Sequence, residues 1–141
     1  MINLTDEMKQ LINDSLANGM PCIVATASAS GQPGVGYKGS MMAFDHESLA
    51  YWERVKRAAF EHVGENAQVV VMFRDTNQRK AWKFFGRATI YPDGPIREEV
   101  MNRVVKAELD RDPDRLGLAV VIKIDRIITL GGELLQDRQQ D

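Results

Sequence analysis

The chain carries 141 residues, with 18 Lys and Arg against 20 Asp and Glu, for a formal net charge of -2. Hydrophobic residues make up 44% and charged residues 27%, a composition that excludes disorder and fibrous repeats. The near-neutral balance excludes whole-chain attraction to nucleic acid or anionic lipid, and one Cys with two His excludes a disulfide framework and leaves no basis for a metal site.

The length predicts one domain over residues 1–141. The two longest apolar runs, 69–73 and 118–122, are five residues each, far short of the roughly 20 a membrane helix needs. The first residues show no basic stretch followed by an apolar run, so a cytoplasmic protein is expected. The triplets Asn3-Leu4-Thr5 and Asn13-Asp14-Ser15 are then chance matches to a glycosylation signal.

In chain order, residues 5–18 are predicted helical. Thr5 can cap, Asp6 and Glu7 suit the positive end, and Met8, Leu11, Ile12, Ser15 and Leu16 share one face. Gly19 and Pro21 stop the helix. Residues 22–27 are short and β-branched, a buried strand. The turn residues Ser30-Gly31-Gln32-Pro33-Gly34 follow, then strands over 35–44 and 49–52. Residues 53–63 are predicted helical, 68–74 and 80–90 are strands joined by Asp75-Thr76-Asn77-Gln78, 96–109 is a helix, 118–130 a strand, and 137–141 a frayed tail. Strands that are not each followed by a helix argue for an antiparallel sheet. Six strands with three peripheral helices fit a small barrel better than a doubly wound sheet.

Gly34-Val35-Gly36-Tyr37-Lys38-Gly39 satisfies G-x-G-x-x-G, but a dinucleotide fold needs that run to open a helix. Here it continues into the strand-like Ser40-Met41-Met42-Ala43-Phe44, and Lys38-Gly39-Ser40 is not the Gly-Lys-Ser of a phosphate loop. The bland reading is that the glycines relieve a tight turn. The sharper one is that Gly36 and Gly39 leave bare backbone against which a flat ligand can lie. Arg54, Lys56 and Arg57 cluster where a strand gives way to a helix start, against the usual dipole preference; a bound phosphate reverses that penalty. The alternative is a solvated basic face beside Glu53 and Glu61.

Strand alternation puts Trp82, Phe84 and Gly86 on one face and Lys83, Phe85 and Arg87 on the other. Core packing is the plain role for the aromatics, and for Met41, Met42 and Met72. No G-x-S-x-G or H-E-x-x-H motif is present. Neither His46 nor His62 stands in a sequence-evident triad, and Cys22 opens an apolar strand as an inert buried thiol.

Taken together, the N-terminal helix, Cys22-Ile23-Val24-Ala25-Thr26, the Gly31-Gln32-Pro33 turn, Gly36-Tyr37-Lys38-Gly39-Ser40, Leu49-Ala50-Tyr51-Trp52, 65–71 and Phe84-Phe85-Gly86-Arg87-Ala88 give an order and spacing that resembles the FMN-binding split-barrel proteins related to pyridoxamine 5′-phosphate oxidase. The resemblance implies a mainly β fold with peripheral helices, a six-stranded antiparallel split β-barrel, in a homodimer with FMN at the subunit interface. Carried over, Gly36, Tyr37, Lys38, Gly39, Ser40 and Met41 would run along the flavin, and Trp52 and Glu53 would lie beside its ribityl chain and ring. Arg54, Lys56 and Arg57 would hold its phosphate, and Trp82 and Phe84 would approach the partner's flavin. Two departures stand out. The strand that carries a basic residue at each end in the oxidase proper has Gly36 and Met41 there. The chain also ends at Asp141, without the C-terminal segment that grips substrate in true pyridoxamine-phosphate oxidases.

The expected function is that of an FMN-dependent oxidoreductase of this family, acting on a small molecule or a nicotinamide reductant. The alternatives are a deazaflavin-dependent reductase, a flavin-binding or sensing protein without turnover, a haem-handling barrel and a cofactor-free dimerisation module. No residue stands out as a catalytic acid or base. Lys38 qualifies for the polar edge of the ring only if its side chain points inward.

Overall fold

The computed structural model describes residues 1–54 and 58–139. Its centre is one sheet of eight strands, and every strand pairing is antiparallel. The elements run α1 (Asp6–Asn13), β1 (Cys22–Ala27), β2 (Pro33–Lys38), β3 (Met42–Asp45), β4 (Ser48–Glu53) and α2 (Ala58–Glu65). They continue with β5 (Gln68–Asp75), β6 (Lys80–Tyr91), α3 (Gly94–Arg103), α4 (Lys106–Leu109), β7 (Leu118–Ile128) and β8 (Leu134–Asp137). The mainly β class with peripheral helices is as expected. Among the described residues the strand count is eight rather than six, and the helix count four rather than three.

Each difference has a local cause. The strand expected over 35–44 is broken at Gly39 and Ser40, because the Ser40 hydroxyl turns inward to the backbone of Trp52. Residues 131–136, for which the sequence predicts no element, supply most of β8, which pairs with β7 and reaches only the first residue of the expected tail. It is tied down by the N-terminal ammonium on the Asp137 carbonyl at 2.6 Å. The helix expected over 96–109 stops at Arg103, since Val104 and Val105 adopt extended ψ values of 137° and 138°. Glu53, expected to open a helix, ends β4 opposite Leu118 of β7. The N-cap at Thr5 is as expected: its hydroxyl accepts from the Met8 N–H at 3.1 Å.

The strand order is β2-β1-β5-β6-β7-β4-β3, with β8 extending the β4 side of β7. The sheet therefore begins at β2 and ends at β3, and these two strands are consecutive in the chain. Only residues 39–41 separate them, and that link can span no more than about 14 Å. The two edges must lie close together, so the sheet curls into a barrel that stays open along one seam. The chain crosses that seam at Gly39-Ser40-Met41.

The barrel interior is filled by Val24, Tyr51, Val71, Phe73, Phe84, Ile122, Ile124 and Ile127, with Ile2, Leu4, Met8 and Ile12 closing one end. A second apolar layer lies outside the wall, where α3 covers Met42, Ala50, Trp52 and Ala119 through Val100 and Val104. Every residue of β4 is buried, because its alternate faces serve these two layers: Leu49 and Tyr51 one, Ala50 and Trp52 the other. Among the described residues no helix is long and apolar enough to cross a membrane.

Candidate functional site

The seam opens into a cleft of about 550 Å³, within the range of small-molecule sites. One wall is the edge strand β2 and the crossing, from Val35 to Ser40. The other is the end of β4, Trp52 and Glu53, with Arg54. Ala59 of α2 and Leu16 and Pro21 from the α1–β1 connection reach it too, as do Glu108 of α4 and Arg111 just beyond.

In the G-x-G-x-x-G run, Gly34 and Gly39 are demanded by space rather than by backbone conformation. None of Gly34, Gly36 and Gly39 has a positive φ. A Cβ on Gly34 would lie 2.9 Å from His62 Nδ1 and 3.0 Å from the Thr26 hydroxyl, and one on Gly39 would strike the Glu108 carboxylate. Around Gly36 a Cβ would meet nothing, so that backbone is bare toward the cleft. No helix follows the run: it forms an edge strand that leads into β3, as its context implied.

Lys38 points inward. Its Nζ donates to Glu53 Oε2 at 2.7 Å and lies 5.3 Å from the centre of the Tyr51 ring. Glu53 is 3% exposed, and a carboxylate so deeply buried is tolerated because a cation answers it. The same environment acts on Tyr51: burial first, then the Glu53 charge, pushes its phenol well above the usual range, so it stays neutral. Arg54 Nε donates to Glu108 Oε2 at 3.2 Å. Arg111, also in the lining, is exposed and makes no ion pair with the described residues.

Ser40 locks the crossing to the far wall. Its hydroxyl accepts from the Trp52 N–H at 2.9 Å and donates to the Trp52 carbonyl at 3.3 Å. The indole of Trp52 is fixed from behind, where its Nε1 donates to Asp112 Oδ2 at 2.9 Å. The Arg97 guanidinium lies 4.9 Å from the ring centre. Gly117 packs so close that a Cβ would come within 2.5 Å of the indole nitrogen. Asp112, itself 7% exposed, also accepts from the N–H groups of Leu116 and Gly117. Burial pushes its carboxyl up, but those hydrogen bonds and the Arg115 charge outweigh burial and hold it below its ordinary value.

The structure thus gathers Gly36, Tyr37, Lys38, Gly39, Ser40, Trp52, Glu53 and Arg54 in one cleft. It does not gather the rest. Met41 is 1% exposed and packs in the barrel core. Trp82 stacks on Phe73 at 5.8 Å, and Phe84 is fully buried beside it; their role here is the core packing that alternation allowed. Lys56 and Arg57 lie outside the described residues. Cys22 is buried, which pushes its thiol up to about 12, as befits an inert core cysteine. Sequence reasoning missed Glu108 and Arg111, which come from a helix and loop more than fifty residues after Arg54 and carry no local pattern. It also missed Asp112, whose only visible signal was a loop-forming Asp-Pro pair.

The model of the pyridoxamine 5′-phosphate oxidase family matches residues 4–130. No curated protein matches the sequence. Among solved structures, HupZ of Group A Streptococcus is 27% identical with a TM-score of 0.74, covering 94% of this chain and 99% of that one. An FMN-binding protein from Syntrophomonas wolfei is 13% identical with a TM-score of 0.71, covering 92% of this chain and 87% of that one. HutZ, a haem storage protein of Vibrio cholerae, is 16% identical with a TM-score of 0.69, covering 94% of this chain and 98% of that one. The last two likenesses are of fold, and two ligands so different on one fold mean that fold does not choose between them. The family match takes in the whole seam and both walls of its cleft, so this chain belongs to the pyridoxamine 5′-phosphate oxidase family.

Proposed function

We propose that this protein binds FMN in the seam cleft and acts as a flavin-dependent oxidoreductase, with the cleft completed by a second copy of the chain. The observation that carries this reading is the composition of the cleft: bare backbone at Gly36 beside three cations, Lys38, Arg54 and Arg111. A flat ring can lie on such a backbone, and a phosphate suits guanidinium groups. Ala59 of α2 lines the same cleft, and the positive end of a helix favours an anion. The residues present therefore fit a phosphorylated flavin.

The geometry supports a division of labour among these residues. Arg54 and Arg111 bind the phosphate. Gly36 to Ser40 supply backbone N–H and C=O groups along the ligand. Lys38, held by Glu53, places a fixed positive charge at the polar end of the site. FMN, when bound, supplies hydride transfer, which the protein orients and tunes.

A second copy is the natural cover for the outer face of the sheet. Paired residues form two rows there, Tyr37–Ile23–Met72 and Val35–Ala25–Val70–Phe85. Val35 is 76% and Tyr37 70% exposed, and both also line the cleft. A chain covering this patch would at the same time wall the site.

The test is the absorbance spectrum and cofactor mass of the purified protein, followed by titration with FMN and with a deazaflavin. A bound FMN that NAD(P)H or another reductant bleaches is the expected result. A flavin that no reductant bleaches would remove the oxidoreductase part. A deazaflavin or haem held in preference to FMN, or a protein that binds none of them, would overturn the proposal.

A further inference from the structure

We propose that Glu108 is an internal competitor for the ligand's phosphate and so sets how strongly the cleft distinguishes a phosphorylated flavin from an unphosphorylated one. This rests on the flavin reading above and goes beyond it. Glu108 belongs to α4, the short helix over Lys106–Leu109. Its Oε2 accepts from Arg54 at 3.2 Å, while the rest of its carboxylate lies directly on Gly39, close enough to leave no room for a Cβ there. An acidic side chain thus occupies the anion position beside the guanidinium.

Charge accounting shows why this matters. In the described lining, Glu53 answers Lys38 and Glu108 answers Arg54, which leaves Arg111 as the cation without a carboxylate partner. A phosphate monoester carries about -1.5 to -2 charges near pH 7, so within the described lining one unmatched Arg does not balance it. Displacing Glu108 releases Arg54 and brings the available charge to about +2, which does. The same movement uncovers the Gly39 backbone, so phosphate entry and exposure of the bare strand are one event. A ligand without phosphate has nothing to exchange for the Glu108 carboxylate and takes no benefit from Arg54.

The experiment compares FMN and riboflavin affinity by fluorescence titration in the wild type, Glu108→Gln, Arg54→Gln and the double variant, with thermal midpoints measured alongside. Gln is nearly isosteric and can keep a neutral hydrogen bond to Arg54, so the fold is retained. Glu108→Gln is expected to bind FMN about twofold to fivefold more tightly, the scale of a partly exposed ion pair, with riboflavin affinity unchanged. The gain should vanish in the Arg54→Gln background. If FMN binds the wild type and Glu108→Gln equally, or both flavins gain or weaken together, the competitor role is wrong while the flavin site stands. If no variant binds FMN or riboflavin, the flavin reading falls and this inference with it.

Discussion

Asp112 shows how much one side chain can carry. Three N–H groups converge on it, from the Trp52 indole and the backbones of Leu116 and Gly117. It thereby holds the residue whose backbone forms the far wall of the cleft. Asp112→Ala would orphan these donors in a buried place, at a cost of about 1–3 kcal/mol. The expected result is a lowered thermal midpoint, and an unchanged midpoint would contradict it. The pH dependence has a definite sign. The folded carboxyl is held below its ordinary value of 3.8, so its contribution is fully present above about pH 4 and is lost as pH falls through the folded value. The stability gap between wild type and Asp112→Ala should therefore be widest near neutrality and narrow in acid; a gap that widens below pH 4 would refute the assignment.

At the scale of elements, the break between α3 and α4 puts Glu108 into the cleft. Residues 96–109 have an apolar spacing that reads as one helix. Val104 and Val105, two adjacent β-branched residues with poor helix propensity, instead turn extended. That turn keeps Val100 and Val104 on the second apolar layer and redirects α4 toward the seam. Val100 is fully buried, so Val100→Ala should cost about 2 kcal/mol by loss of burial and cavity formation. Chemical denaturation measures the cost directly, and a loss under about half that value would mean that α3 is not anchored there. The break within the expected strand 35–44 has the same character. The residues favour extended backbone throughout, and what interrupts them is a hydrogen-bond partner, Trp52, on a strand reached later in the chain.

At the scale of the whole molecule, the seam and the outer patch are linked through β2, an edge strand that presents Val35 and Tyr37 outward. Long exposed apolar edges invite pairing or covering. The wild type is expected to run as a dimer in light scattering. Val35→Asp with Tyr37→Asp should shift it to monomer and weaken FMN binding by about tenfold without a large change in thermal midpoint, since both side chains are exposed. A monomeric wild type, or a charged variant that stays dimeric, would show that this face is not the interface.

The sequence by itself determined the mainly β class, the buried strands, the Thr5 cap, the failure of the G-x-G-x-x-G run to open a helix, and most of the cleft. These are legible because they depend on neighbours in the chain: a period of two, a helix cap, a strand where a helix should begin. Gly36 to Ser40 and Trp52 to Arg54 are two such short runs, and the Lys38–Glu53 and Ser40–Trp52 contacts hold them together across the seam. Only the tertiary structure decided the strand count, the division of 96–109, the assignment of Met41, Trp82 and Phe84 to the core, and the presence of Glu108 and Arg111 in the cleft. The physical reason is the same in each case. Which face of an aromatic strand is buried, and which acid meets Arg54, depends on how a curled sheet returns to its own first edge, and no local pattern of residues encodes that closure.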